Sequence, residues 1–403
     1  MTEEMPKWDL SDLYESMDSP ELKKDLAALS AGATRFETRY KGGLGELSPA
    51  EFGKSIVEYE KLNETAQKLD TYAYLMHSTN MNDPTVSGFY QNIQEKGNDV
   101  AGKMLFYTLE INKLSDSELK DKMTDKTVQD YAPWLENVRA GREHQLPENL
   151  EKMLLDKSMS SATAWNRLYD ETMAGLRFNV GGKQLTEPEA TALMSSPDME
   201  TRHEAGAEID RVMKQNMPVF ALITNTLAKD KQIEDEWRGY KRPISERNVA
   251  NQVEDEVVDA LVDSVVDSHA DISHRYYKMK ADWLGVDKLE YWDRNAPIPG
   301  VEGRKYTWDE AKSTVLAAYN EFSPEMAAIG KKFFDNNWID VAPKEGKEGG
   351  AYAHPAVPSA HPYLMLNFMG SSNDVMTLAH ELGHGVHQYL ARKQGLLKSE
   401  TPI

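Results

Sequence analysis

Two histidines four residues apart, His380 and His384, enclose Glu381 in a segment whose apolar residues keep helical spacing. On a helix, positions i and i+4 project from one face about a turn apart, so both imidazoles can chelate one ion. Zinc is the ion this spacing suits, and the intervening Glu381 can then reach a water held at the metal. That is the chemistry of a zinc peptidase, with His380 and His384 as metal ligands and Glu381 as the catalytic base.

The surrounding residues predict the helical frame. Val375, Leu378, Ala379, Leu382, Val386 and Leu390 recur at three- and four-residue steps and predict one buried face, with His380, His384 and His387 on another. Ser371 to Asp374 supply capping side chains, Arg392 and Lys393 suit the negative end, and Gly395 is the expected stop. Gly383 and Gly385 each cost roughly 1 kcal/mol of helix propensity relative to alanine. A close approach by substrate or by a neighbouring helix would explain tolerating both. His203-Glu204 opens a similar pattern but has Ala207 where the second histidine would stand.

A catalytic zinc usually takes three protein ligands, and the third is open. His387 lies too far round the helix. The longer pattern with a glycine three residues after the second histidine and another histidine three further on is excluded, because His387 and Leu390 occupy those positions. Glu400 is the only acid after the motif and is expected in a loop. Ser399 to Ile403 reads as a helix start, with Thr401 as N-cap and Pro402 at the first helical position. This predicts a fragment whose next helix would bring the missing carboxylate.

Composition narrows the class. The 403 residues, 40% hydrophobic and 28% charged, suffice for two or three domains' worth of core. The absence of cysteine excludes disulfides, Cys-ligated zinc and a cysteine nucleophile. A net charge of −20 argues against a nucleic-acid partner; it keeps a protein soluble and attracts cationic peptides. The acidic start is no signal peptide, and the longest stretch without charged residues, 349–373, is too rich in Pro, His, Ser and Asn to span a membrane. A cytoplasmic location is the default expectation, and the oligomeric state is left open.

Most of the chain reads as helix. Asp18-Ser19-Pro20-Glu21 and Ser48-Pro49-Ala50-Glu51 are start signals, and Thr186/Glu189 and Thr307/Glu310 look like capping boxes. One long helix is predicted from Glu254 to Trp283, with Val257, Leu261, Val265, Ile272, Tyr276, Met279 and Trp283 as a core-facing stripe. Leu176 to Thr186 reads as a hairpin about Gly181-Gly182, taken as the boundary between an N-terminal helical domain, 1–182, and a catalytic domain, 183–403. Short extended runs at 338–341, 350–353 and 363–368 predict a small antiparallel sheet just before the motif helix.

The run Thr377 to His387 resembles the zinc site of oligoendopeptidase F, in the thimet oligopeptidase and neurolysin family. Trp8 to Tyr14, Arg275 to Lys280 with Leu284-Gly285, Asp293 to Pro297, Gly349 to Tyr352 and His361 to Asn367 resemble further pieces of it. The resemblance implies a mainly α, neurolysin-like architecture with a deep channel, one zinc ion per chain, and short peptides as substrates. It also implies that the strand His361 to Phe368 holds substrate backbone by edge pairing, with His361, Tyr363 and Tyr352 as candidate contacts; an ordinary sheet strand is an equal alternative. The family's ligating glutamate, and its assisting tyrosine and histidine, would fall beyond Ile403. This chain alone is therefore expected to bind zinc weakly and to show little or no peptidase activity. A dipeptidyl carboxypeptidase on the same scaffold and a non-catalytic peptide binder are the alternatives.

Overall fold

Capping chemistry sets where the helices begin. In the computed structural model, which describes residues 5–300 and 304–401, the Ser19 side chain accepts from the Leu22 amide at the head of α1 (Pro20–Tyr40). Pro20 takes the first position, where a missing N–H costs nothing. Ser48 and Glu51 form a reciprocal box at the start of α2 (Pro49–Ser78), and Asp83 caps α3 (Pro84–Met104). These three helices pack on one another, and a run of short helices follows over 106–175.

The predicted hairpin is present as β1 (Phe178–Val180) and β2 (Lys183–Leu185), antiparallel, with Gly181 and Gly182 both at positive φ as a two-residue turn demands. Next come α4 (Met199–Arg238), α5 (Asp255–Ser268) and α6 (Arg275–Leu284), the last two joined by a π-helical turn over Ala270–His274. The final part runs α7 (Trp308–Phe322), α8 (Pro324–Asp335), β3 (Ile339–Asp340), β4 (Tyr352–His354), β5 (Tyr363–Met365) and α9 (Ser372–Ala391). The fold is mainly α. Its main core draws on both sides of the hairpin, joining Phe36, Phe52 and Tyr107 to Phe333, Leu364, Leu378 and Leu382. A smaller cluster holds Phe178, Ala190 and Val212.

Two expectations need correction. The sheet before the motif helix is mixed, with order β3-β5-β4: β4 pairs antiparallel with β5, but β3 runs parallel to it. The long loop from β3 lets the chain return and add β4 on the far side of β5. The apolar stripe of α5 and α6 is not core. Leu261 is 63% and Ile272 65% exposed, and Val257, Val265, Tyr276, Met279 and Trp283 are exposed with them. Periodicity says which residues share a face, whereas burial needs a second surface. Here α5 packs chiefly against the segments that flank it in sequence.

Candidate active site

Helix α9 carries the histidine pair, and its start is fixed as the sequence predicts. The Ser371 side chain accepts from the Asp374 amide, and the Asp374 carboxylate accepts from the amides of Ser371 and Met369. Val375, Leu378, Leu382 and Val386 are buried, while Leu390, expected on the same face, is exposed beyond the edge of the core.

The two glycines are explained by neighbouring helices. A Cβ on Gly385 would stand 2.8 Å from the Phe333 ring of α8, and one on Gly383 would stand 3.3 Å from the Tyr319 hydroxyl of α7. Both helices come so close that side chains at these positions would be in the way.

On the opposite face, His380 and His384 present their Nε2 atoms to one another at 3.1 Å, with the ring planes at 88°. Both rings are exposed and Glu381 between them is half-buried. Two imidazole nitrogens aimed at one point are the donor set zinc takes from a helix, so these residues fit two of its ligand positions. Among the described residues no group of three or more His, Cys, Asp or Glu side chains could hold a metal. Glu400 is exposed, His387 is exposed on another part of α9, and the expected helix start at Pro402 lies outside the described residues.

The three candidate substrate contacts are each engaged within the fold. The β5 strand is central, with both edges taken by β3 and β4, so it has no free edge for a substrate backbone. His361 binds Asp12 through Nε2 at 2.9 Å and stacks on Trp338 with ring centroids 3.8 Å apart. Tyr363 is fully buried against Trp8 and His361. Both residues fasten the N-terminal segment to the sheet. Tyr352 shares a hydrogen bond with Ser78, and burial pushes its phenol well above the ordinary range.

Sequence reading missed Gln388, although its position, four residues after His384, was the signal. Its Nε2 donates to the Ala353 carbonyl at the outer edge of β4, and its Oε1 is buried without a partner. Past this side chain opens a cavity of about 820 Å³, between α2, α3, the loop after β4 and the C-terminal end of α9. Asp70, Thr71, His354, Gln388 and Arg392 line it. Burial raises the Asp70 carboxyl and pushes the His354 imidazole down to about 4.

Residues 192–402 match the family model described as peptidase family M3, and residues 110–178 match the one described as oligopeptidase F. The chain belongs to peptidase family M3. Among M3 relatives, it is 27% identical to oligopeptidase PepF of Bacillus subtilis over 96% of its length and 58% of that protein's. It is 25% identical to the group B oligopeptidase PepB of Streptococcus agalactiae, covering 97% of this chain and 65% of that one. The chain thus spans less than two thirds of these relatives' length. The fold matches that of a crystal structure described as a putative oligoendopeptidase F from Bacillus anthracis, with a TM-score of 0.76 and 19% identity over 94% of this chain and 67% of that one. It matches PZ peptidase A with an inhibitor equally well, at a TM-score of 0.76 and 18% identity over 95% of this chain and 65% of that one. No helix among the described residues is long and apolar enough to cross a membrane.

Proposed function

We propose that the chain carries the metal-binding and proton-transfer part of a zinc-dependent oligoendopeptidase acting on internal bonds of short peptides. The observation that carries this reading is the meeting of the His380 and His384 Nε2 atoms at 3.1 Å on the helix that also bears Glu381. Zinc, when bound, supplies Lewis-acid polarisation of a peptide carbonyl and lowers the pKa of water at the ion. His380 and His384 would hold the ion through their Nε2 atoms. Glu381, half-buried between the two histidines, would take the proton of the attacking water on a carboxylate oxygen and pass it to the departing amine.

The cavity beyond Gln388 supports a peptide as the substrate. Gln388 and Arg392, on the helix that bears the histidine pair, line it together with Asp70, Thr71 and His354. Because no third ligand joins the pair among the described residues, zinc binding is expected to be weak and turnover slow.

The test is hydrolysis of a short, internally quenched peptide blocked at both ends, with zinc added. Slow cleavage that disappears in Glu381→Gln, while zinc binding persists, is the expected result. Equal rates with and without Glu381 contradict the proposal. Cleavage only of peptides with a free C-terminus favours a dipeptidyl carboxypeptidase instead, and binding without cleavage a non-catalytic binder.

A further inference from the structure

We propose that Tyr319 is a positioning residue for the histidine pair, its hydroxyl fixing the turn of α9 from which His380 and His384 project. The inference rests on the reading of that pair as a metal site.

The contact is specific. The Tyr319 hydroxyl donates to the Ala379 carbonyl at 2.5 Å, across 60 residues of sequence. In an α-helix that carbonyl also accepts the amide four residues on, which here is Gly383. The bond therefore grips the backbone at both ends of the turn that bears His380, Glu381 and Leu382. Burial pushes the Tyr319 phenol up to about 12, so it stays protonated and donates throughout the neutral range.

A slot made by glycines admits the ring. A Cβ at Gly383 would stand 3.3 Å from the Tyr319 hydroxyl, and one at Gly330 of α8 would stand 3.5 Å from its Cδ2. The same glycines weaken the helix. Gly383 and Gly385 add backbone freedom inside and just after the chelating turn, where a small change in helical twist would separate two nitrogens that must share one ion. The bond from Tyr319 counters that freedom on the buried side of α9, while the metal face stays open. The sequence around the histidines thus trades helix propensity for an external clamp.

The experiment compares zinc affinity, by competition with a fluorescent chelator, in the wild type, Tyr319→Phe, and Val315→Ala. Val315 lies one turn earlier on α7 and is 2% exposed, so its truncation weakens packing without touching the clamp. Tyr319→Phe is expected to weaken zinc binding about tenfold, the scale on which supporting contacts act. Val315→Ala should lower the melting temperature at least as much and leave zinc affinity unchanged. Equal zinc affinity in the wild type and Tyr319→Phe overturns the inference, as does an equal loss in both variants.

Backbone amide exchange of the metal-free protein keeps the two readings apart. Faster exchange at Gly383 and His384 in Tyr319→Phe, but not in Val315→Ala, supports the clamp whether or not zinc binds. Unchanged exchange refutes the clamp even if the metal reading stands. Gly383→Ala supplies a coupling test: its methyl group crowds the hydroxyl, so its effect on zinc binding should shrink in the Tyr319→Phe background. Strict additivity counts against the contact.

Discussion

The Lys347 ammonium reaches the Asp340 carboxylate at 2.5 Å, with both side chains buried, and also donates to the carbonyls of Ala342 and Leu366 at 2.8 and 2.6 Å. One side chain thus ties β3 and the loop after it to the strand segment beyond β5. Asp340→Ala strands a buried cation, and a loss of roughly 3–5 kcal/mol is expected in chemical denaturation. Replacing both residues by apolar ones of similar size should cost less than Asp340→Ala alone. Equal losses would show that the ammonium is satisfied by the carbonyls.

A pH effect follows from His354. Its Nδ1 accepts from the Ala356 amide at 3.0 Å, and burial lowers its pKa from the ordinary 6.5 to about 4. The unfolded chain therefore binds the proton more readily than the folded one. This group's contribution is complete above pH about 6.5 and is lost as pH falls toward 4, a change of roughly 3 kcal/mol at most. Urea denaturation between pH 7 and 4 should show this slope, and His354→Asn should flatten it. An unchanged slope in the variant would place the pH dependence elsewhere.

Two leucines separate the periodicity of the sequence from its packing. Leu378 is fully buried on α9, and Leu378→Ala should cost about 2–5 kcal/mol. Leu261, on the predicted stripe of α5, is 63% exposed, and its truncation should stay within about 0.5 kcal/mol. A large loss at Leu261 would mean that a second surface covers α5 in solution.

Tyr352 and Tyr363 give a further contrast on the sheet. Tyr363→Phe removes a hydroxyl that is buried without a partner, so stability should hold or rise slightly. Tyr352→Phe removes the hydrogen bond to Ser78 and should cost about 1 kcal/mol in the same denaturation assay. The reverse order would show that the Tyr363 hydroxyl has a partner, such as an ordered water.

What the sequence discloses here is local. The caps at Ser19, Ser48, Thr307 and Ser371, the Gly181-Gly182 turn and the pairing of His380 with His384 all depend on residues within a few positions of one another, and all appear in the structure. The α5–α6 stripe and the parallel placement of β3 depend on what lies opposite, which no local pattern records. The packing of His361 and Tyr363 is hidden for the same reason: their partners, Asp12 and Trp8, lie some 350 residues earlier in the chain. Tyr319 and Phe333 were present only as a question, in two glycines with no local justification.

The most direct test is a zinc titration of the wild type, His380→Ala, His384→Ala and Glu381→Gln. One zinc per chain, weakly held, lost in both histidine variants and kept in Glu381→Gln, is the predicted result. Zinc binding that survives the loss of either histidine would contradict the assignment of this site.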